Sequence, residues 1–242
     1  MNFKLNISYD GTDFSGWQIQ PNVRTVQNDL QNALQEIFRN KGIKLLGSGR
    51  TDSGVHAVCQ VANFSVDTTM SPIQIKNAIN SNIKNDIYIN NCKIVDDNFN
   101  SRFSAIEREY IYKISKQFNP LFRKYYWYVS YNLDLKKLDR CAEIISGEHN
   151  FELFCKSLSK KEDNHCTIKA SKWTFEKDIF FYKISANRFL HHMVRMLVGT
   201  MIEVAKDNIS IDQFKKMINV EIMKAKIINS PPHGLYLNKV IY

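Results

Sequence analysis

The stretch from Gly47 to Ala57, Gly-Ser-Gly-Arg-Thr-Asp-Ser-Gly-Val-His-Ala, constrains the fold more than any other part of the chain. Apolar runs flank it, Ile43 to Leu46 before and Val58 to Val66 after, and each reads as a strand. Three glycines within eight residues weaken a helix or strand, because glycine loses the most backbone entropy on ordering. They suit a chain that turns tightly and brings its backbone close to a neighbour or a ligand. Between Gly49 and Gly54 lie one cation, two hydroxyls and one carboxylate: Arg50, Thr51, Ser53 and Asp52. Arg50 and Asp52 are two apart, so an extended backbone points both side chains the same way. On pattern alone the stretch fits an ordinary polar turn as well as a site.

The elements around this loop follow a definite order. Phe3 to Tyr9 alternates apolar and polar residues, as a half-buried strand does. Asp10-Gly11-Thr12 turns it, and that turn explains Asp10 more cheaply than a helper role at a site. Trp17 reads as core packing. Thr25 is a candidate N-cap for a helix whose apolar face is Val26, Leu30, Ala33, Leu34 and Ile37. Ser71-Pro72 opens a second helix, cap then proline. Asp86 to Val95 is a further strand. The order is β-α-β-β-α-β, the split ferredoxin-like pattern.

No Gly/Pro-rich linker follows, so the completed unit itself sets the boundary. It gives an N-terminal α+β domain over 1–102 and a C-terminal α+β domain over 103–242. The second half repeats the scheme in outline. Ile106 to Ser115 is a strand, Leu135, Leu138, Cys141, Ala142 and Ile145 form a helix face, and Gly147 closes it. Lys172 to Ser185 reads as a hairpin turning near Lys177-Asp178. His191 to Val204 is a mostly apolar helix, Ser210 caps a short one, and Leu235 to Tyr242 is a closing strand. Element order alone carries the repeat. The expected fold class is α+β: two ferredoxin-like (split β-α-β) halves with merged antiparallel sheets and a central cleft between them.

Composition narrows the function classes. No apolar run approaches the roughly 20 residues of a membrane helix. The N-terminus reads as a strand rather than a signal peptide, so the expected location is cytoplasmic. Five cysteines are scattered without a C-x-x-C spacing, which favours neither a disulfide framework nor a zinc finger. The adjacent pair His165-Cys166 is expected in a surface loop. The net charge of +9 points towards a polyanionic partner. That charge is not gathered in one tail, so folding must assemble any nucleic-acid surface.

Gly49-Arg50-Thr51-Asp52-Ser53-Gly54-Val55-His56-Ala57 resembles the G-R-T-D-[AS]-G-V-H-A signature of the TruA family of tRNA pseudouridine synthases. Further segments resemble that family. They are Tyr9-Asp10-Gly11-Thr12 with Gly16-Trp17-Gln18 and Thr25-Val26-Gln27, Arg102-Phe103-Ser104-Ala105 leading into Arg108-Glu109-Tyr110, Phe189 to Arg195 with Val198-Gly199, and Gly234-Leu235-Tyr236-Leu237. The likeness runs from residue 5 to the C-terminus.

The resemblance implies isomerisation of uridine to pseudouridine in the tRNA anticodon stem-loop. It implies a homodimer, no cofactor and no metal, and makes the central cleft an RNA-binding one. Asp52 matches the catalytic nucleophile. Tyr110 matches the tyrosine that stacks on the target uracil, whereas Tyr112 reads better as a core aromatic. Arg195 matches an arginine that pairs with the aspartate. A lone arginine in an apolar helix needs an anionic partner if buried. Arg50 is expected to fill the space of the departed base or to grip phosphate. Arg24, Arg102, Arg108 and Arg188 are candidate phosphate contacts. His191 and His192 are read as RNA-facing or packing, since neighbours on a helix point to different faces.

Departures from the family pattern are Ser48, Ser53 and Ser101, where alanine is usual, and Cys59 and Asn63, where glycine and histidine are usual. None removes a group the chemistry needs. Ser48 and Cys59 are the two expected to change packing under the loop. Three other classes fit less well. A glycosidic-bond hydrolase generally has two carboxylates flanking the bond, and the loop offers one beside a cation. A non-catalytic RNA-binding module has no use for an intact Asp52. A two-metal nuclease needs an acidic cluster that the sequence lacks.

Overall fold

The computed structural model describes residues 1–156, 163–221 and 226–242. The chain divides into two compact units, Met1–Ile106 with Tyr236–Tyr242, and Glu107–Leu235. Both combine helices with a sheet, so the fold class is α+β. Among the described residues no helix is long and apolar enough to cross a membrane.

The first unit holds β1 (Asn2–Tyr9), α1 (Val26–Ile37), β2 (Leu46–Gly47), β3 (His56–Ser65), α2 (Pro72–Asn82) and β4 (Ile87–Val95). Its strands lie in the order β4-β1-β3 with β2 on β3, and every one of these pairings is antiparallel. The residues of β10 (Leu235–Ile241) that belong to this unit add a parallel pairing, Tyr236 opposite His56 and Leu237 opposite Ala57. Alternation puts Phe3, Leu5 and Ile7 of β1 on a fully buried face, and Phe3 stacks on Phe64 across the sheet at 5.5 Å.

Helix α2 begins as the sequence requires, with a capping box between Ser71 and Gln74. Helix α1 begins differently. Thr25 occupies the N-cap position, but its side chain caps nothing, and its hydroxyl is buried without a partner. The backbone does the capping instead: Val26 N–H donates to Gly16 O (3.2 Å) and Gln27 N–H to Trp17 O (3.0 Å).

The run Ile43 to Leu46 is a strand only at its end. Side chains of α1 take the backbone groups a strand would pair. Gln35 Nε2 donates to Ile43 O (3.0 Å), Gln27 Nε2 to Leu45 O (2.8 Å), and Leu45 N–H donates to Gln31 Oε1 (3.1 Å).

The second unit holds β5 (Glu107–Ser115), β6 (Trp127–Tyr128), α3 (Leu135–Ile144), β7 (Gly147–Asn150), β8 (His165–Glu176), β9 (Ile179–Ala186), α4 (Met193–Ala205) and α5 (Ile211–Ile218). Its sheet runs β5-β9-β8-β7, all antiparallel, with β6 parallel on β5. Lys177 and Asp178 both have positive φ (49° and 63°), the two-residue turn that suits a twisted hairpin. Strand β8 starts seven residues before the expected Lys172. His165-Cys166 is therefore not a surface loop: it opens β8, paired with β7, and Cys166 is buried. Helix α3 packs on β8 and against α4 and α5, burying Leu138, Cys141 and Ala142.

Candidate active site

The Asp52 loop is held by its own unit at nearly every residue. Ser48 N–H donates to Val61 O (2.8 Å), and Ser48 Oγ donates to Gln60 Oε1 (2.6 Å). Gln60, fully buried on β3, turns its Nε2 to Gly49 O (3.0 Å). Thr51 is buried, with its hydroxyl 2.8 Å from Tyr9 OH and its carbonyl accepting Trp17 N–H (3.1 Å). Ser53 Oγ (3.2 Å) and Gly54 N–H (3.3 Å) both donate to Phe14 O. Val55 N–H closes the turn on Asp52 O at 3.1 Å. Asp52 itself is half-buried and Arg50 is exposed.

The opening motif is the other jaw of this clamp. A Cβ on Gly11 would lie 2.0 Å from Val55 O, and one on Gly16 would lie 2.6 Å from Thr51 O. Gly16 also has φ +93°, a conformation costly to any other residue. Gly47 sits under the Trp17 ring, where a Cβ would come within 2.5 Å. Trp17 is a core residue, as its sequence context indicates. Asp10 is a turn residue, its Oδ1 accepting from Thr12 N–H and Oγ (3.0 and 2.6 Å). That carboxylate also lies 3.1 Å from Nδ1 of buried His56, which accepts Gly11 N–H at 3.0 Å. A loop braced this way holds one carboxylate in a fixed position, the preorganisation a nucleophile or a charge stabiliser needs.

In the second unit Tyr110 lies on β5 opposite Ile184, with its ring edge-on to Phe189 at 5.1 Å. It is 9% exposed, so protein covers most of the ring. Tyr112 is a core aromatic: fully buried, packed edge-on to Trp127, with its hydroxyl donating to Pro231 O at 2.7 Å. Burial holds its phenol far above the ordinary tyrosine range.

Arg195 is half-buried on α4, where Nε donates to Ser230 O (2.9 Å) and Ser230 N–H donates back to Arg195 O (3.1 Å). Gly199, one turn on, admits the same segment: a Cβ there would lie 2.2 Å from Ile228 O. His191 and His192 do not sit on the helix. His192 is its N-cap in the left-handed conformation (φ 65°), and the two rings meet edge-on at 4.3 Å. The argument from opposite helix faces therefore does not apply to them.

The four outer arginines have different surroundings. Arg24 lies over the Phe14 ring at 4.1 Å, with both terminal nitrogens on Asp86 (2.5 and 2.9 Å) and Nε on Asp29 (2.8 Å). Those carboxylates hold it charged, and its planar fork acts as an internal tie. Arg108 donates to Asn187 O (3.0 Å), and Arg188 faces Asp163 at 3.5 Å. Arg102 is exposed, 5.4 Å from the Phe103 ring.

Sequence reasoning assigned no role to Gln60, Tyr9, Phe189 or Ser230. Phe189 was within reach because it stands in a motif with Arg195. The others brace the site through partners far along the chain. Two departures from the family pattern are joined to each other: Ser101 N–H donates to Asn63 Oδ1 (2.9 Å), and Ser101 Oγ donates to Leu46 O (2.6 Å).

Comparison with known proteins is consistent along the whole chain. A family model described as tRNA pseudouridine synthase matches residues 6–104 and 141–242. The chain is 38% identical to tRNA pseudouridine synthase A of Brachyspira hyodysenteriae, covering 100% of this chain and 98% of that protein. It is 38% identical to the protein of that name from Thermosipho melanesiensis (99% of each chain). It is 37% identical to the one from Bacillus subtilis, over 100% of this chain and 99% of that one.

Proposed function

This chain belongs to the tRNA pseudouridine synthase family, isomerases of uridine in tRNA, and on that footing we propose that it acts on the anticodon stem-loop with Asp52 as the nucleophile. The observation that carries the assignment is the braced loop, in which Asp52 is the one carboxylate. In the reaction the C1′–N1 bond breaks, the uracil turns, and a C1′–C5 bond forms. The C5 proton leaves and N1 ends protonated, so no electron carrier or phosphoryl donor enters the balance. Asp52 attacks C6 of the base or C1′ of the ribose, or assists loss of the base.

Arg195 pairs with the Asp52 carboxylate in the reacting complex and orients it, a cation set against an anion. Tyr110 stacks on the uracil with the part of its ring left exposed. Arg50, exposed on the loop, fills the space of the displaced base or grips phosphate. Flipping the base out of a stem costs a few kcal/mol, which phosphate contacts by Arg102, Arg108 and Arg188 help to offset. Arg24 joins them only by giving up Asp86. The enzyme works as a homodimer.

The first unit's order β4-β1-β3-β2, wholly antiparallel in those pairings, supports a ferredoxin-like plan there. In the second unit β5-β9-β8, with α3 after the first strand and α4 after the third, supports the same plan with β7 as an added edge.

Tritium release from tRNA labelled at C5 of uridine, with a metal chelator present, tests the assignment. The native chain releases tritium. Asp52→Ala and Asp52→Asn fold, bind tRNA and release less than about one part in a thousand of the native rate. A higher residual rate removes Asp52 from the nucleophile's role. Free uracil as product makes the chain a hydrolase, and binding without product makes it an RNA-binding module.

A further inference from the structure

One cavity of the second unit, about 430 Å³, lies at the open ends of β5, β6 and the β8–β9 turn, and neither Tyr110 nor Arg195 is among the residues that line it. Rings line it to an unusual degree: Phe118, Phe122, Tyr126, Trp127 and Tyr128. Phe118 and Tyr128 meet edge-on at 5.5 Å, and Phe122 and Tyr126 at 5.9 Å, so in each pair one ring face is covered and the remaining faces are left to other contacts. Phe118 is 62% exposed and Phe122 49%, with Leu121 beside them at 78%. Two phenylalanines within five residues that leave about half or more of their surface in water cost solubility and gain only partial burial in the chain itself. The rim is cationic, from Arg123 and Lys177. The one acid in the lining, Asp178, accepts a hydrogen bond from Gln117 Nε2 at 2.7 Å.

We propose that this aromatic cavity is a second nucleotide site, which takes an unpaired base of the tRNA substrate between its rings and the adjoining phosphate on Arg123 and Lys177. The proposal rests on tRNA being the substrate. Ring faces beside fixed cations are the chemistry that holds single-stranded nucleic acid, because every base offers a π-face and every linkage a negative charge. A cavity of this size is within the range that encloses a small ligand. A second copy of the chain fits less well as the occupant, since it would bring a further +9 of charge against a basic rim.

Trp127 makes the site readable, because Trp17 and Trp173, the other two tryptophans, are buried at 3% and 2% exposure. The probe is a short oligoadenylate, which offers bases but no uridine, added to the full chain. We expect it to quench tryptophan emission, and inorganic tripolyphosphate to leave the emission unchanged. Phe118→Ala with Phe122→Ala should abolish the quenching and raise KM for whole tRNA between about fivefold and a hundredfold. Turnover at saturation and the circular dichroism spectrum should stay native. Unchanged KM and quenching in a folded double variant overturn the proposal. So does equal quenching by tripolyphosphate, or a double variant whose only defect is loss of self-association. Failure of the assigned chemistry is separate: Asp52→Asn would keep its isomerase activity while the quenching persisted.

Discussion

Replacing Gly16 by alanine tests whether the opening motif truly fixes the Asp52 loop. The new Cβ would lie 2.6 Å from Thr51 O, where ordinary contact begins at about 3.4 Å. Relief requires a shift of about 0.8 Å. Thr51 cannot yield alone, because its carbonyl accepts Trp17 N–H and its hydroxyl meets Tyr9. The left-handed backbone adds about 1–2 kcal/mol for a residue with a Cβ, and overpacking adds about 1–3 kcal/mol. A total of roughly 2–5 kcal/mol is a large share of the 5–15 kcal/mol that holds a typical protein folded. It should lower the melting midpoint by roughly 5–15 °C. Asp52 follows Thr51 directly, and a displacement near 1 Å costs on the order of a hundredfold in turnover. The control is Gly49→Ala in the same loop, where a Cβ meets nothing within 4 Å. Its stability should change by less than about 0.5 kcal/mol. Thermal melts and tritium release on both variants decide the matter. Native turnover and stability in Gly16→Ala, or equal damage in Gly49→Ala, would refute the clamp.

Three further outcomes are expected. Tyr110→Phe keeps the ring against Phe189 and should bind tRNA normally, yet slow C5 hydrogen release by roughly a hundredfold if the hydroxyl takes part in proton transfer. Tyr110→Leu should weaken binding and turnover together, and full activity in both variants, with folding intact, would make Tyr110 a core residue only. Affinity for tRNA should fall on the order of a hundredfold between low and moderate salt, measured by filter binding, and a flat profile would reduce the +9 charge to surface solvation. Burial pushes the Cys92 and Cys166 thiols up to about 11 and Cys141 up to about 12. The folded state thus holds protons that the unfolded chain loses near pH 9, so stability is full below that and falls as pH rises towards 11, read by urea melts across the range.

The Asp52 loop was legible in the sequence as a tight turn because its requirements are local. Glycines mark the turn, and one carboxylate, Asp52, lies between them. The clamp was not legible, since it depends on which residues meet across the fold. Thr25 has the right residue type for a cap, yet the carbonyls of Gly16 and Trp17 do the capping. The same two residues hold the loop: Trp17 through Thr51 O, and Gly16 by leaving room for it. Helix α1 and the Asp52 loop therefore hang on one short segment, and this explains why the opening motif is rich in glycine.

Arg24 shows the opposite case. A basic residue near a motif suggests phosphate, but its partner Asp86 stands 62 positions away, and only folding reveals a bidentate pair. Ile43 to Leu45 likewise carries a strand's apolar pattern while glutamines of α1 take its backbone groups. In each case residue type predicted a chemical need correctly. The partner that met the need was set by tertiary contacts, and those contacts separate an arginine that ties the fold together, as Arg24 does, from one left exposed, as Arg102 is.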